Sequence, residues 1–265
     1  MYNWPIPFLQ QLATSHEVVI FDNPGVGNST AKVANITIPY MADATLGLIK
    51  ALSLSAPVVL GYSMGGTIAA TAAVTKGSSL SHIVMLSSTA GGAATWFDPI
   101  TNGSILSFPI LGKRNPNAFV DLIYPAGKDD KALCENLAAS AAFAKAGLHI
   151  AAISPKTLDQ QLIALDNYFR GPTAAYPKLR GVSNKFMYVH GSLDHALPVR
   201  NAYLSAAQTP AADVVVVDGA GHAVQDRDPI GTANLVLDFI KRAPAKVDKR
   251  VQKGQFGGVA YGSKA

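Results

Sequence analysis

The chain holds a single cysteine, Cys134, in 265 residues. One thiol excludes an internal disulfide, and a Cys-based metal centre is not expected. Charged residues are scarce, at 15%. No run approaches the 18 apolar residues that a membrane span needs. Residues 1–15 carry no basic segment followed by a long apolar stretch, the mark of a secretory leader. The default expectation is a soluble protein of a reducing, cytoplasmic compartment, unless a targeting segment is missing from the chain. Acidic charge is lacking at one end only. The net charge is +5, but from Lys241 onward seven Lys/Arg stand against one Asp, so residues 1–240 are close to neutral. The basic excess is a glycine-containing tail, 243–265, read as a solvated disordered extension rather than an anionic-surface contact. No nucleic-acid partner is expected. The final Ser-Lys-Ala lacks the leucine of a peroxisomal terminus.

What is present is apolar residue, 49% of the chain, enough for one sizeable core or one domain with an inserted piece. Residues 4–13 read as an amphipathic helix with Trp4, Phe8 and Leu12 on one face. Val18 to Phe21 is a continuous apolar run that suits a strand covered on both faces. The turn-rich loop Asp22 to Ser29 follows. Gly25-x-Gly27 has no third glycine and no P-loop lysine, so phosphate binding is not expected. Thr37 and Pro39 open a helix with Met41, Leu48, Ile49 and Leu52 on one stripe. Strands are expected at Pro57–Leu60 and His82–Leu86, with an Ala-rich helix between them. Strand, helix, strand, helix, strand predicts a parallel sheet with helices on both faces.

From Ser88 to Gly181 the rhythm breaks. Helical patterns occupy Pro116–Tyr124, Asp129–Lys145 and the stretch from Ser154-Pro155 to Gly171, with Leu158, Leu162, Leu165 and Phe169 on one stripe. The alternation then resumes at Phe186–Val189, Val199–Ala207, Val214–Val217 and Ile230–Ile240. The expected organisation is a core of residues 1–87 and 182–242, a helical cap of residues 88–181 inserted into it, and the tail.

The chemistry centres on Gly61-Tyr62-Ser63-Met64-Gly65, a G-x-S-x-G between an apolar β-branched run and a run of small helical residues. In that setting the pattern predicts a sharp strand-to-helix turn. The turn strains the backbone at Ser63, so the residues two positions away are expected to need no Cβ. A serine hydroxyl is a weak nucleophile at neutral pH. It needs an imidazole to take its proton and a carboxylate to hold the imidazole. Two later strand ends supply both types: His190-Gly191-Ser192-Leu193-Asp194 and Gly219-Ala220-Gly221-His222. Strand C-termini share one edge of a parallel sheet, so Ser63, Asp194 and His222 are expected to converge there. Asp98 is the spare carboxylate. Asp22 and His190 read as structural, His16, His82 and His149 as structural or exposed, and Cys134 as a small core residue.

These segments, with Phe21 to Ser29, Gly66 and Pro198, resemble the α/β-hydrolase superfamily, in the branch with a helical cap after the strand that follows the elbow. The likeness covers nearly the whole chain to about residue 242. It implies Ser63 as nucleophile, His222 as general base, Asp194 as orienting acid and the Met64 backbone N–H as one oxyanion donor. It implies no cofactor and no metal, and a small-molecule substrate. A serine at the elbow argues for ester, lactone or amide hydrolysis over epoxide or haloalkane chemistry. C–C hydrolysis and perhydrolysis use the same triad and stay open. So does the alternative of a non-catalytic small-molecule receptor or interaction protein on the same fold. The family also has an earlier strand with a His-Gly loop, the source of the second oxyanion donor, and that motif is not found ahead of the Trp4 helix. The expectation is a working hydrolase shortened at its N-terminus, against the alternative of a real short protein that has lost catalysis; loss of one oxyanion donor would lower its turnover by about 10²–10³. Its sheet would carry a gap between Val18–Phe21 and Pro57–Leu60.

Overall fold

The computed structural model describes residues 4–92, 94–98, 116–125, 127, 129–145 and 153–242. His149 and the basic tail lie outside them. Four strands form one sheet in chain order: β1 (Val59–Tyr62), β2 (His82–Leu86), β3 (Lys185–Gly191) and β4 (Ala212–Val217). Every pairing is parallel, with Gly61 opposite Met85, Leu86 opposite Val189 and Val189 opposite Val215. Side chains alternate across a sheet, and here both faces are apolar. Ile83, Met85, Phe186 and Tyr188 enter one core, while Val84, Leu86, Met187 and Val189 enter the other. That double burial explains why β2 and β3 read as unbroken apolar runs rather than alternating ones.

Helices cover the two faces. On one side lie α2 (Ile38–Ala51) and α3 (Met64–Lys76). On the other lie α1 (Ile6–Ala13) and, after the segments named next, the closing helix α9 (Pro229–Lys241), joined by Gln11 Nε2 donating to Asn234 Oδ1 at 2.8 Å. Between β2 and β3 come α4 (Pro116–Ile123), α5 (Asp130–Lys145) and α6 (Pro155–Arg170); α7 (Arg200–Ala206) and the single turn α8 (Val224–Arg227) follow β3 and β4. Local chemistry sets the helix starts. Thr37 accepts from Tyr40 N–H, Ser154 from Thr157 N–H and Asp228 from Gly231 N–H, each before a proline in the first turn. Among the described residues no helix is long and apolar enough to cross a membrane.

The structure departs from the sequence expectation in several places. Val18–Phe21 is not a strand. Among the described residues its backbone makes no ladder with β1, and Val19 and Phe21 are each 40% exposed. A strand is defined by its hydrogen-bonded neighbour. Here a cavity of about 770 Å³ separates this segment from the outer edge of β1, where the resemblance placed a gap. The strand expected at Pro57–Leu60 runs Val59–Tyr62 and so carries the motif residues themselves. The buried face of α2 is Met41, Ala42, Thr45 and Leu46, and Leu52 is exposed. In α6, Leu158 is exposed while Gln161 and Tyr168 are buried. Two of these buried polar residues find partners: Thr45 bonds the Met41 carbonyl, and the Tyr168 hydroxyl bonds Thr71 Oγ1 at 2.6 Å and accepts from Ala175 N–H. Cys134 is exposed on α5 rather than a core residue.

Candidate active site

Ser63 sits between the end of β1 and the first turn of α3 with φ +51° and ψ −119°. That backbone is costly for any residue with a Cβ, and its neighbours hold it in place. Ser63 N–H donates to the Leu86 carbonyl at 2.9 Å, and Ser88 Oγ donates to the Ser63 carbonyl at 2.6 Å. A Cβ on Gly61 would collide with the backbone of Gly65 and Gly66, and one on Gly66 would collide with Ser88. A Cβ on Gly65 would meet nothing within 4 Å. The close approach therefore falls on Gly61 and Gly66, not on both glycines of the pentapeptide. The side chain of Ser63 makes no capping bond and stays free for another partner.

That partner is His222. Its Nε2 lies 2.9 Å from Ser63 Oγ, and its Nδ1 lies 2.9 and 3.0 Å from the two oxygens of Asp194. Asp194 and His222 are both buried. Asp194 Oδ1 also accepts backbone N–H groups of Ala196 and Leu197, at 3.0 and 2.9 Å, which fix the carboxylate at the start of the loop leaving β3. A carboxylate acceptor on Nδ1 selects the tautomer with its proton there. Nε2 is left with a lone pair facing the serine. Tyr62, beside the serine in sequence, sets its ring 5.2 Å from the imidazole. Met64 is the first residue of α3, so its N–H belongs to the set that a helix leaves without an internal acceptor.

The structure thus brings Ser63, Asp194 and His222 together across three strand ends. Asp98 is elsewhere, pairing with the exposed His195 Nδ1 at 3.0 Å. His190 is buried at the end of β3, and burial lowers its basicity to a pKa of about 4, so it is neutral at physiological pH. His82 packs edge-on against Phe239, and His16 is exposed.

The profile of the Alpha/beta hydrolase family matches residues 1–235. The chain belongs to the alpha/beta hydrolase family. Among solved structures, the chain is similar to an alpha/beta hydrolase fold protein from Chitinophaga pinensis, at 21% identity and a TM-score of 0.76, covering 91% of this chain and 85% of that one. It is similar to the enol-lactonase from Burkholderia xenovorans, at 18% identity and a TM-score of 0.70, covering 89% and 85%. A meta-cleavage product hydrolase from Pseudomonas fluorescens has 16% identity and a TM-score of 0.67, covering 89% and 84%. No curated protein matches the chain.

The Ser63 end of the cavity beside β1 adjoins this constellation. Besides Ser63 and Met64 it is lined by Asn23, Val26 and Gln161. Gln161, on α6, is 5% exposed, and its Nε2 has no hydrogen-bond partner among the described residues. Sequence reasoning missed Gln161, because an amide on a helix stripe reads as solvent-facing. It also missed Ser88, although three hydroxyl residues, Ser87-Ser88-Thr89, directly after the apolar β2 were a usable signal.

Proposed function

We propose that this protein is a serine hydrolase that cleaves a small or medium ester, lactone or amide through an acyl-enzyme. The observation that carries the reading is the continuous relay from Asp194 through His222 to Ser63 Oγ, every link at 2.9–3.0 Å. Ser63 Oγ attacks the substrate carbonyl carbon while His222 Nε2 takes the hydroxyl proton. Asp194 stabilises the imidazolium through Nδ1–H. The Met64 N–H donates to the carbonyl oxygen as it gains charge. The tetrahedral intermediate collapses, and His222 returns the proton to the leaving oxygen or nitrogen. Water then loses a proton to the same Nε2, attacks the acyl carbon and frees Ser63. The similar structure named an enol-lactonase supports a carboxylic ester or lactone. The helical insert 88–181 is read as the roof of the substrate pocket.

A fluorophosphonate probe tests the reading. The folded chain is expected to label at Ser63 and to release p-nitrophenol from short-chain esters, with both activities lost in Ser63→Ala. A folded chain that fails to label would leave the non-catalytic alternative standing.

A further inference from the structure

Asp129 precedes α5 and takes no part in the relay, yet it is fully buried. Its Oδ2 accepts the Gly221 N–H at 2.7 Å, and its Oδ1 accepts from Arg227 Nη1 at 3.1 Å. The next N–H along, that of His222, donates to the carbonyl of Ile123 at the end of α4, at 2.8 Å. Two consecutive backbone N–H groups under the histidine therefore end on the helical segment inserted between β2 and β3. The fit is close: a Cβ on Gly221 would run into the Ile123 carbonyl and the Pro125 ring. Farther along α5, Asn136 Nδ2 donates to Asp226 Oδ2 at 3.2 Å, as does the Tyr124 hydroxyl at 2.8 Å. The loop from β4 to α8 holds two glycines, and Gly219 has φ +69°. Such a loop has little conformational preference of its own. The Asp194 contact orients the imidazole ring but does not anchor the backbone beneath it.

We propose that Asp129 is a positioning residue for the general base. Its carboxylate, together with the Ile123 carbonyl, fixes the backbone under His222 and so sets the alignment of Nε2 with Ser63 Oγ. The helical insert then does more than roof the pocket, because it holds the proton acceptor in register. This rests on the reading of Ser63 and His222 as nucleophile and base. A misplacement of about 1 Å at a reacting pair is worth up to about 10²-fold in rate.

The test uses the full chain, with the rate of fluorophosphonate labelling at Ser63 as a substrate-independent readout and p-nitrophenyl acetate hydrolysis beside it. Asp129→Ala is expected to slow labelling and kcat by roughly 10- to 100-fold with KM within about threefold. Asp129→Asn keeps an acceptor for Gly221 N–H and should recover most of the rate. Asn136→Ala breaks the same segment's bond to Asp226 without touching the loop N–H groups, and should lower the melting temperature but not the labelling rate. Where Asp129→Ala does not fold, Arg227→Gln loosens the carboxylate from its other side and should slow labelling several-fold. Wild-type labelling rates in Asp129→Ala or Arg227→Gln would overturn the inference alone, as would equal slowing in Asn136→Ala. Absence of labelling in the wild type would overturn both this and the hydrolase reading.

Discussion

Replacing Asp194 with asparagine changes one atom and leaves the shape of the site intact. The backbone N–H groups of Ala196 and Leu197 both point at Oδ1. They will hold the amide oxygen in that position, which puts the amide nitrogen at the Oδ2 site, 2.9 Å from His222 Nδ1. Nδ1 then faces one donor at 2.9 Å and one acceptor, the amide oxygen, at 3.0 Å, in place of two acceptors. The repulsion favours the tautomer with its proton on Nε2, which meets Ser63 Oγ and can no longer accept the serine proton. Loss of the correct tautomer in a serine triad costs about 10⁴ in kcat, or about 5 kcal/mol of transition-state stabilisation. The expected result is a drop of 10³–10⁴ in p-nitrophenyl ester turnover and in fluorophosphonate labelling. Because the loop bonds to Oδ1 are kept, the melting temperature should shift by only a few degrees. A folded Asp194→Asn protein within tenfold of wild type would refute the assignment of Asp194 as the orienting acid.

Two further outcomes follow from the buried polar groups. Burial raises the Asp226 carboxyl to a pKa of about 7, despite hydrogen bonds from Tyr124 and Asn136 that act the other way. The folded state therefore holds a proton that the unfolded chain releases near pH 4, and stability from this group falls as pH rises from about 4 to about 7. Asp226→Asn should flatten that slope, raising the melting temperature at pH 8 relative to wild type while leaving pH 4 little changed; a parallel pH dependence in the two proteins would sink the argument. Gln161 holds an unpartnered amide nitrogen beside the cavity, so Gln161→Leu should raise KM about tenfold, the value of roughly one hydrogen bond to substrate, without lowering the melting temperature. An unchanged KM would show that the amide does not meet substrate.

Much of the site was legible because its parts obey local rules. An apolar run followed by G-x-S-x-G and small residues specifies a strand, a tight turn and a helix, and β2 lies where its apolar residues placed it, His82–Leu86. Asp194 and His222 stood out because turn residues follow buried strands there, and a parallel sheet puts such ends on one edge. The Gly65 expectation failed for a physical reason: the motif names two glycines, but which one meets backbone depends on how α3 packs under the turn. Val18–Phe21 shows the same limit, since an apolar run becomes a strand only when a neighbour offers its hydrogen bonds. The anchoring of the histidine loop was out of reach. Asp129 and Gly221 lie 92 positions apart, and nothing in either neighbourhood signals the other. By itself, then, the sequence determined the order of the elements from β1 to β4, though not the state of Val18–Phe21, and the turn at Ser63, and it singled out the three residues that the structure brings within hydrogen-bonding distance. Those depend on periodicity, turn chemistry and residue type, which act over a few positions. The tertiary structure alone decided the 2.9 Å alignment of His222 with Ser63, the pairing of Asp98 with His195 instead, and the clamp from Asp129. These are contacts between distant segments, and only packing brings them within bonding range.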